Sequence, residues 1–407
     1  DSRLAGADFI RAAACLIVVG HHLSQRMAWN SDLGWMEWMR VFVQLGGFGV
    51  AMFFVLSGYL LAQPFWTALD AGQSLPSLRT YALRRAARIL PGFWLALTVT
   101  FILTITVFHY PPTGQLLLRY LAGFFLVADW DWVTFFPVEI NGPLWSISFE
   151  VSSYVLLPLG FIALFAVAAR LGQGWRTRIL WLAVVAVALG AHWLFTRWVN
   201  PGPLQRGWDY GLIGGAKTWM PMFNPFGFFA MFSLGALAAG IRIRLATLRG
   251  PIFDILALVA LIAMFVLLGL QSFANGTESY GALRVPYDYP WFQLAVGAAL
   301  ALLPSTVVVG RLLDNPVVRY LARISFGLYV WHYVVLELVH LTIAPDMGQG
   351  HMTDPLRLAW ASGLIVIVSL VLADLSYRFF ERPIIDWARG LERRRAPAAP
   401  ALSPAAG

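Results

Sequence analysis

Two ionisable residues in the first apolar stretch, Arg11 and His22, stand 11 positions apart. At 100° per residue this separation ends about 20° past three full turns, so both fall on one helix face, about 16 Å apart. His21 points about 100° away, so only one of the adjacent histidines can share the Arg11 face. Ionisable groups inside apolar spans are costly and mark either a function or a satisfied internal pair. A guanidinium and an imidazole along one face could bind an anion and move a proton. Arg11 also reads as a flanking positive residue, and His22 as a satisfied interior histidine.

Four further clusters carry polar chemistry. Phe53-Phe54-Val55-Leu56-Ser57-Gly58-Tyr59 follows Gly46, Gly47 and Gly49. Small residues let helices approach closely, and a buried Ser57 can donate to a neighbour. Leu144-Trp145-Ser146-Ile147-Ser148-Phe149-Glu150 places Glu150 at a depth comparable to His22. There it could fix the imidazole tautomer, or simply favour a helix start. Arg84, Arg85 and Arg88 precede Ile89-Leu90-Pro91 and suit a polyanionic ligand, a cytoplasmic flank or anionic lipid. The last cluster joins Arg323 through His332 with Ser376 through Pro383. Here Glu381 and Arg382 are suited to structural ion pairs, while His332 and Glu337 need buried partners.

These clusters are set in a chain whose composition requires a membrane. Of 407 residues, 59% are hydrophobic and 12% charged, too few charges to cover a water-facing surface of this size. Apolar segments recur near 9–28, 41–66, 89–108, 116–128, 146–169, 179–198, 218–241, 252–271, 290–309, 324–345 and 357–379. The segment at 116–128 is too short to cross and reads as re-entrant or interfacial. The expected fold is an all-α bundle of about ten spans. Arg79, Arg84, Arg85 and Arg88 put their loop in the cytoplasm. Every later arginine cluster then falls on the same side, both termini are cytoplasmic, and the loop with Asp129, Asp131 and Glu139 faces outward. The bundle is expected over 1–385, with a basic, then Pro/Ala-rich disordered cytoplasmic tail over 386–407. The net charge of +8 sits in clusters at span ends, which argues for membrane orientation and against nucleic acid. Cys15 is the only cysteine, which excludes disulfides within the chain and Cys-based zinc sites.

Taken in order, these elements resemble the acyltransferase-3 family of membrane acyltransferases, which includes O-acetylases of bacterial surface polysaccharides, nodulation factors and macrolides. The resemblance runs from about Asp8 to Pro383. Arg11 and His22 are similar to its Arg-x10-His element, and Phe53 to Tyr59 to its FFxxSG[YF] element. Trp145 to Glu150 resembles its WSLSxE stretch, Arg84 to Pro91 its RRxxRIxP segment, Ser325 to His332 its SYxLYLWH segment, and Tyr377 to Pro383 its YRxxExP ending. Ser152-Ser153 departs from a Gln-Phe-type pair. Some members carry an extracytoplasmic SGNH-type hydrolase domain after the bundle. About two dozen residues follow Pro383 here, so that domain is expected to be absent and transfer to finish in the bundle or on a separate extracytoplasmic partner.

The resemblance implies an integral enzyme of a bacterial inner membrane that moves an acyl group, by default acetyl, from acyl-CoA to a hydroxyl of a carbohydrate or glycoconjugate. Arg84, Arg85 and Arg88 would hold the CoA phosphates, with Arg11 nearby and the pantetheine arm threading inward. His22 would act as general base or acylated nucleophile, with Glu150 orienting it. Ser57 and Tyr59 would support an oxyanion, with Trp145 and His332 supporting the site. No metal is expected. Trp208, Tyr210, Tyr280, Tyr287 and Tyr289 could stack on an acceptor ring or form an interfacial aromatic belt. The rival reading is a transporter or flippase that uses the same intramembrane residues as a substrate or proton path.

Overall fold

In the computed structural model, residues 6–29, 34–275 and 279–395 are described. They form helices α1 (Ala7–Ser24), α2 (Gly34–Gln44), α3 (Phe48–Asp70), α4 (Leu78–Thr106), α5 (Gly114–Phe124), α6 (Trp145–Leu171), α7 (Trp175–Trp198), α8 (Gly211–Trp219), α9 (Pro225–Arg244), α10 (Pro251–Asn275), α11 (Trp291–Leu302), α12 (Val309–Leu313), α13 (Pro316–Thr342), α14 (Pro355–Ser376) and α15 (Arg382–Arg395). Among the described residues nine helical segments are long and apolar enough to cross a membrane. The protein is an all-α polytopic bundle.

The tenth expected segment, near 290–309, is a shorter apolar helical stretch that returns the chain to the start of α10, where Asp254 accepts from the Val307, Val308 and Val309 N–H groups. α11 has 12 residues and passes into a 3-10 turn at Leu303–Ser305, where Pro304 removes a backbone donor. The α-helical part reaches about 18 Å, and the 3-10 turn with the residues after it completes the return to the α10 start. The 116–128 segment is the 11-residue α5, too short to cross. The boundary expected at 385 falls inside α15, so residues 386–395 are helical and only 396–407 lie outside the described residues. Tyr377–Glu381 forms a π-helical turn between α14 and α15.

The bundle is layered by burial. The span containing α3 is 78% buried and that of α9 72%, against 22% for those of α7, α10 and α14. The outer helices present Val187, Ile255, Val259, Ile262, Phe265 and Ile367 outward, as a lipid-facing surface requires. α3 and α9 touch backbone to backbone at two reciprocal glycines. A Cβ on Gly58 would lie 1.9 Å from the Phe232 carbonyl oxygen, and one on Gly235 1.9 Å from that of Val55. α1 meets the same column through Gly46 and Gly49, whose added Cβ atoms would strike the carbonyls of Ile17 and Ala14. The glycines around Phe53–Tyr59 therefore set helix spacing.

Charges inside the bundle are paired. Arg178 donates to both carboxylate oxygens of Asp70, at 2.5 and 2.7 Å, and to the Gly240 carbonyl. Arg119 pairs with Glu139 and donates to the Phe136 carbonyl at 2.6 Å. In the loop before α6, buried Asp129 accepts from Ser152 at 2.5 Å through one oxygen, while the other has no partner among the described residues. Burial pushes this carboxyl up to about 6.

Two expectations follow. Gly58→Val should force α3 from α9, costing about 1–3 kcal/mol or more, read as a lower melting midpoint and monodisperse yield in detergent. Asp129 binds its proton more tightly folded than unfolded, so its stabilising contribution is full in acid and is lost as pH rises through about 6. Asp129→Asn should therefore raise the melting midpoint relative to the parent above pH 6 and change it little near pH 4.

Candidate active site

A cavity series runs through the bundle beside α1. It starts at a basic vestibule of about 1090 Å³ between α1, α4, α13 and α15, with Arg84, Arg85, Arg88, Arg319, Arg323 and Arg389 in its wall. Arg11, Arg85 and Arg88 also line a second chamber, of about 100 Å³, with Ser57, Glu150 and Tyr154. A third chamber, also about 100 Å³, holds His21 and His22 beneath Trp145, Trp219, Tyr280 and Tyr287. Val50 and Tyr329 line both inner chambers and form the partition between them. Arg11 and His22 line different chambers of this series, and His21, about 100° away on α1, lines the same chamber as His22.

The arginines differ in their freedom. Arg84 is engaged by Glu392 of α15, donating to both oxygens at 2.7–3.0 Å. Arg88 lies 3.6 Å from Glu381, which the π-turn carries into the bundle. Arg11 is 4.0 Å from Asp8. Arg85 makes no ion pair among the described residues, yet lies within electrostatic reach of Glu150.

Glu150 does not orient His22. Its Oε1 accepts from Ser57 at 2.9 Å and from Tyr154, in the arginine chamber. The reason is helical rise: Trp145 at the start of α6 stands at the histidine level, and five residues move Glu150 about 7.5 Å along the axis. The partner of His22 is Gln25, which sequence reasoning missed. Gln25 Oε1 lies 3.2 Å from His22 Nδ1, and Gln25 Nε2 lies 3.3 Å from His21 Nε2. The amide oxygen can only accept, so His22 carries its proton on Nδ1 and Nε2 keeps the lone pair. The spacing was the available signal, since Gln25 follows the histidines by three and four positions, the distances of helical neighbours.

His332 stacks on His22 with ring centroids 5.4 Å apart. Its Nδ1 donates to the Tyr329 carbonyl at 2.7 Å, and Nε2 is buried without a partner among the described residues. The other acid on α13, Glu337, pairs with buried Arg26 at 2.6 Å, and Arg26 also lies over the Tyr333 ring. Tyr59 is fully buried and lines neither inner chamber. Two residues beyond Ser57 turn it about 200° round α3, so it cannot share the Ser57 position. Trp145 walls the histidine chamber, stacked on Phe135 at 5.3 Å. Among the five tyrosines and tryptophans named as ring platforms, only Tyr280 and Tyr287 reach this chamber. Trp208 and Tyr210 are exposed and Tyr289 is buried. Tyr287 has a left-handed backbone, φ 61°, held by its N–H on the Ser279 carbonyl and by Gln293 donating to its own carbonyl. Among the described residues no three His, Cys, Asp or Glu side chains group as metal ligands.

Comparison with known proteins agrees with this architecture. Residues 4–374 match the acyltransferase domain of the acyltransferase-3 family. The chain is 25% identical over 400 residues to the peptidoglycan O-acetyltransferase OatA of Listeria monocytogenes, covering 93% of this chain and 55% of that protein. It is 26% identical over 403 residues to YrhL of Bacillus subtilis, a protein of the same named class, covering 93% and 54%. The chain thus spans about half the length of the curated relatives it matches. With that match running from the first helix through α14, around a cavity series lined by the Arg11, Ser57, Arg85, Glu150 and His22 motifs, the chain belongs to the acyltransferase-3 family.

Proposed function

We propose that this protein is an O-acetyltransferase of a bacterial inner membrane, taking acetyl from acyl-CoA at its cytoplasmic face and giving it to a hydroxyl of a carbohydrate acceptor. The observation that supports the reading is the succession of cavities with shared walls, from an arginine-rich vestibule through a mixed-charge chamber to one lined by His22. Paired guanidinium donors suit phosphate oxygens, so Arg84, Arg85 and Arg88 hold the nucleotide end of the donor. The Arg84 contact requires Glu392 to move aside. The pantetheine arm then runs through the second chamber and presents the thioester at the partition.

His22 is the general base. Gln25 holds the proton on Nδ1, so Nε2 takes the acceptor's hydroxyl proton as that oxygen attacks the thioester carbonyl. The C–S bond breaks, the new C–O bond forms, and the imidazolium returns its proton to the departing thiolate of CoA. His332 packs its ring on His22 and restricts imidazole rotation. Tyr280 and Tyr287 offer flat faces for an acceptor ring at the outer chamber. The named class of the Listeria relative makes a cell-wall glycan a fitting acceptor.

The decisive assay is CoA release from labelled acetyl-CoA by purified protein supplied with glycan. Turnover should fall by about 10²–10⁴ in His22→Ala, the usual range for a lost general base. Gln25→Leu should lower it by about tenfold, the worth of one hydrogen bond to the reacting group. Gln25→Glu, which keeps an acceptor for His22 Nδ1, should recover most of that loss. A folded protein that transports glycan without releasing CoA would replace this reading with a transporter.

A further inference from the structure

The second chamber presents charges of both signs that do not touch. Glu150 faces Arg11 and Arg85 within electrostatic reach, yet makes no ion pair with either among the described residues. Ser57 and Tyr154 both donate to Glu150 Oε1, which pins the carboxylate to α3 and α6. Oε2 accepts from no other group among the described residues. Arg11 is drawn toward Asp8 on its own helix. In a low-dielectric interior, opposite charges attract strongly and close on one another unless their helices hold them apart. Here the glycine-spaced α3 and the α6 anchor do so, across a chamber of about 100 Å³.

Such a gap selects its occupant by charge. A phosphate would meet the Glu150 carboxylate, and a cation would meet Arg11, Arg85 and Arg88. A neutral chain bearing both amide N–H and amide C=O groups satisfies the two sides together, its donors on Glu150 and its acceptors on the arginines. The apolar lining of Phe53, Leu60, Ile89 and Phe326 suits the methylene and methyl groups of such a chain. The chamber also lies between the phosphate-suited vestibule and the histidine chamber.

The geometry points to the Glu150, Ser57, Tyr154 and Arg85 chamber as a binding site for the diamide arm of the donor, with Glu150 as its hydrogen-bond acceptor and not a member of the reacting centre. This rests on the acyl-CoA reading above and assigns the work of one chamber within it. It also reassigns Glu150 from the imidazole, which it does not touch, to the substrate.

The test compares binding of acetyl-CoA and of adenosine 3′,5′-bisphosphate, the nucleotide end without the arm, to the full chain purified in detergent. The variants are Glu150→Leu, the near-isosteric Glu150→Gln and Ser57→Ala, each checked for a monodisperse folded state. Glu150→Leu should weaken acetyl-CoA by about tenfold, with smaller losses in Glu150→Gln and Ser57→Ala, while the nucleotide fragment binds all four proteins alike. In turnover the Glu150 losses should fall mainly in KM for the donor. Three results overturn the assignment: acetyl-CoA binding undiminished in all variants, nucleotide binding falling in step with acetyl-CoA, or loss confined to kcat. A wild-type protein that binds the nucleotide fragment but not acetyl-CoA also overturns it. A wild-type protein that binds neither refutes the donor reading itself, a separate outcome.

Discussion

A bare charge between apolar helices is costly, so every charge carried inside must be neutralised by another group or must border a cavity. That constraint sorts the interior. Arg178 with Asp70, Arg119 with Glu139 and Arg26 with Glu337 close on one another and tie α7 to α3, α5 to the loop before α6, and the end of α1 to α13. Arg85 and Glu150 close on no opposite charge among the described residues, and they line the second chamber with Arg11 and Arg88, whose acidic neighbours Asp8 and Glu381 lie at 4.0 and 3.6 Å. The tight pairs fasten helices, and these looser charges border a cavity.

The path depends on how closely the central helices approach. α3 can serve both as a packing column and as a chamber wall because its glycines face α9 and α1 while Ser57 faces Glu150. One short motif thus supplies close contact on one side and a hydrogen-bond donor on another, and the 100° step of the helix separates the two duties. The same step sends Tyr59 away from the chamber. α6 is used along its length in a similar way: Trp145 walls the histidine chamber, and Glu150 works one and a half turns further along.

Much of this was legible in the sequence. Apolar segment lengths gave the all-α bundle, and the motifs around Arg11, Ser57, Arg85, Glu150 and His22 proved to line neighbouring chambers. The span at 290–309 is shorter than its hydropathy suggests, because α-helical geometry ends before Pro304 and a 3-10 turn completes the segment. Glu150 was given to the wrong partner because depth in a span, read from one end, ignores how neighbouring helices are staggered. The Gln25 bridge was missed because attention to charges passes over a neutral amide, though its spacing from His21 and His22 is that of helical neighbours. The separation of paired from unpaired arginines lies beyond the sequence, since it depends on contacts such as Arg84 with Glu392, 308 positions apart.

The central claim is that one continuous path takes the donor from the arginine vestibule to the face of His22. It is tested most directly by an experimental structure of the protein bound to a non-transferable acetyl-CoA analogue. The phosphates should lie on Arg84, Arg85 and Arg88, the arm beside Glu150, and the acyl carbonyl within reach of His22 Nε2. A bound analogue whose acyl end lies outside the bundle, or whose phosphates sit away from the vestibule, would contradict it.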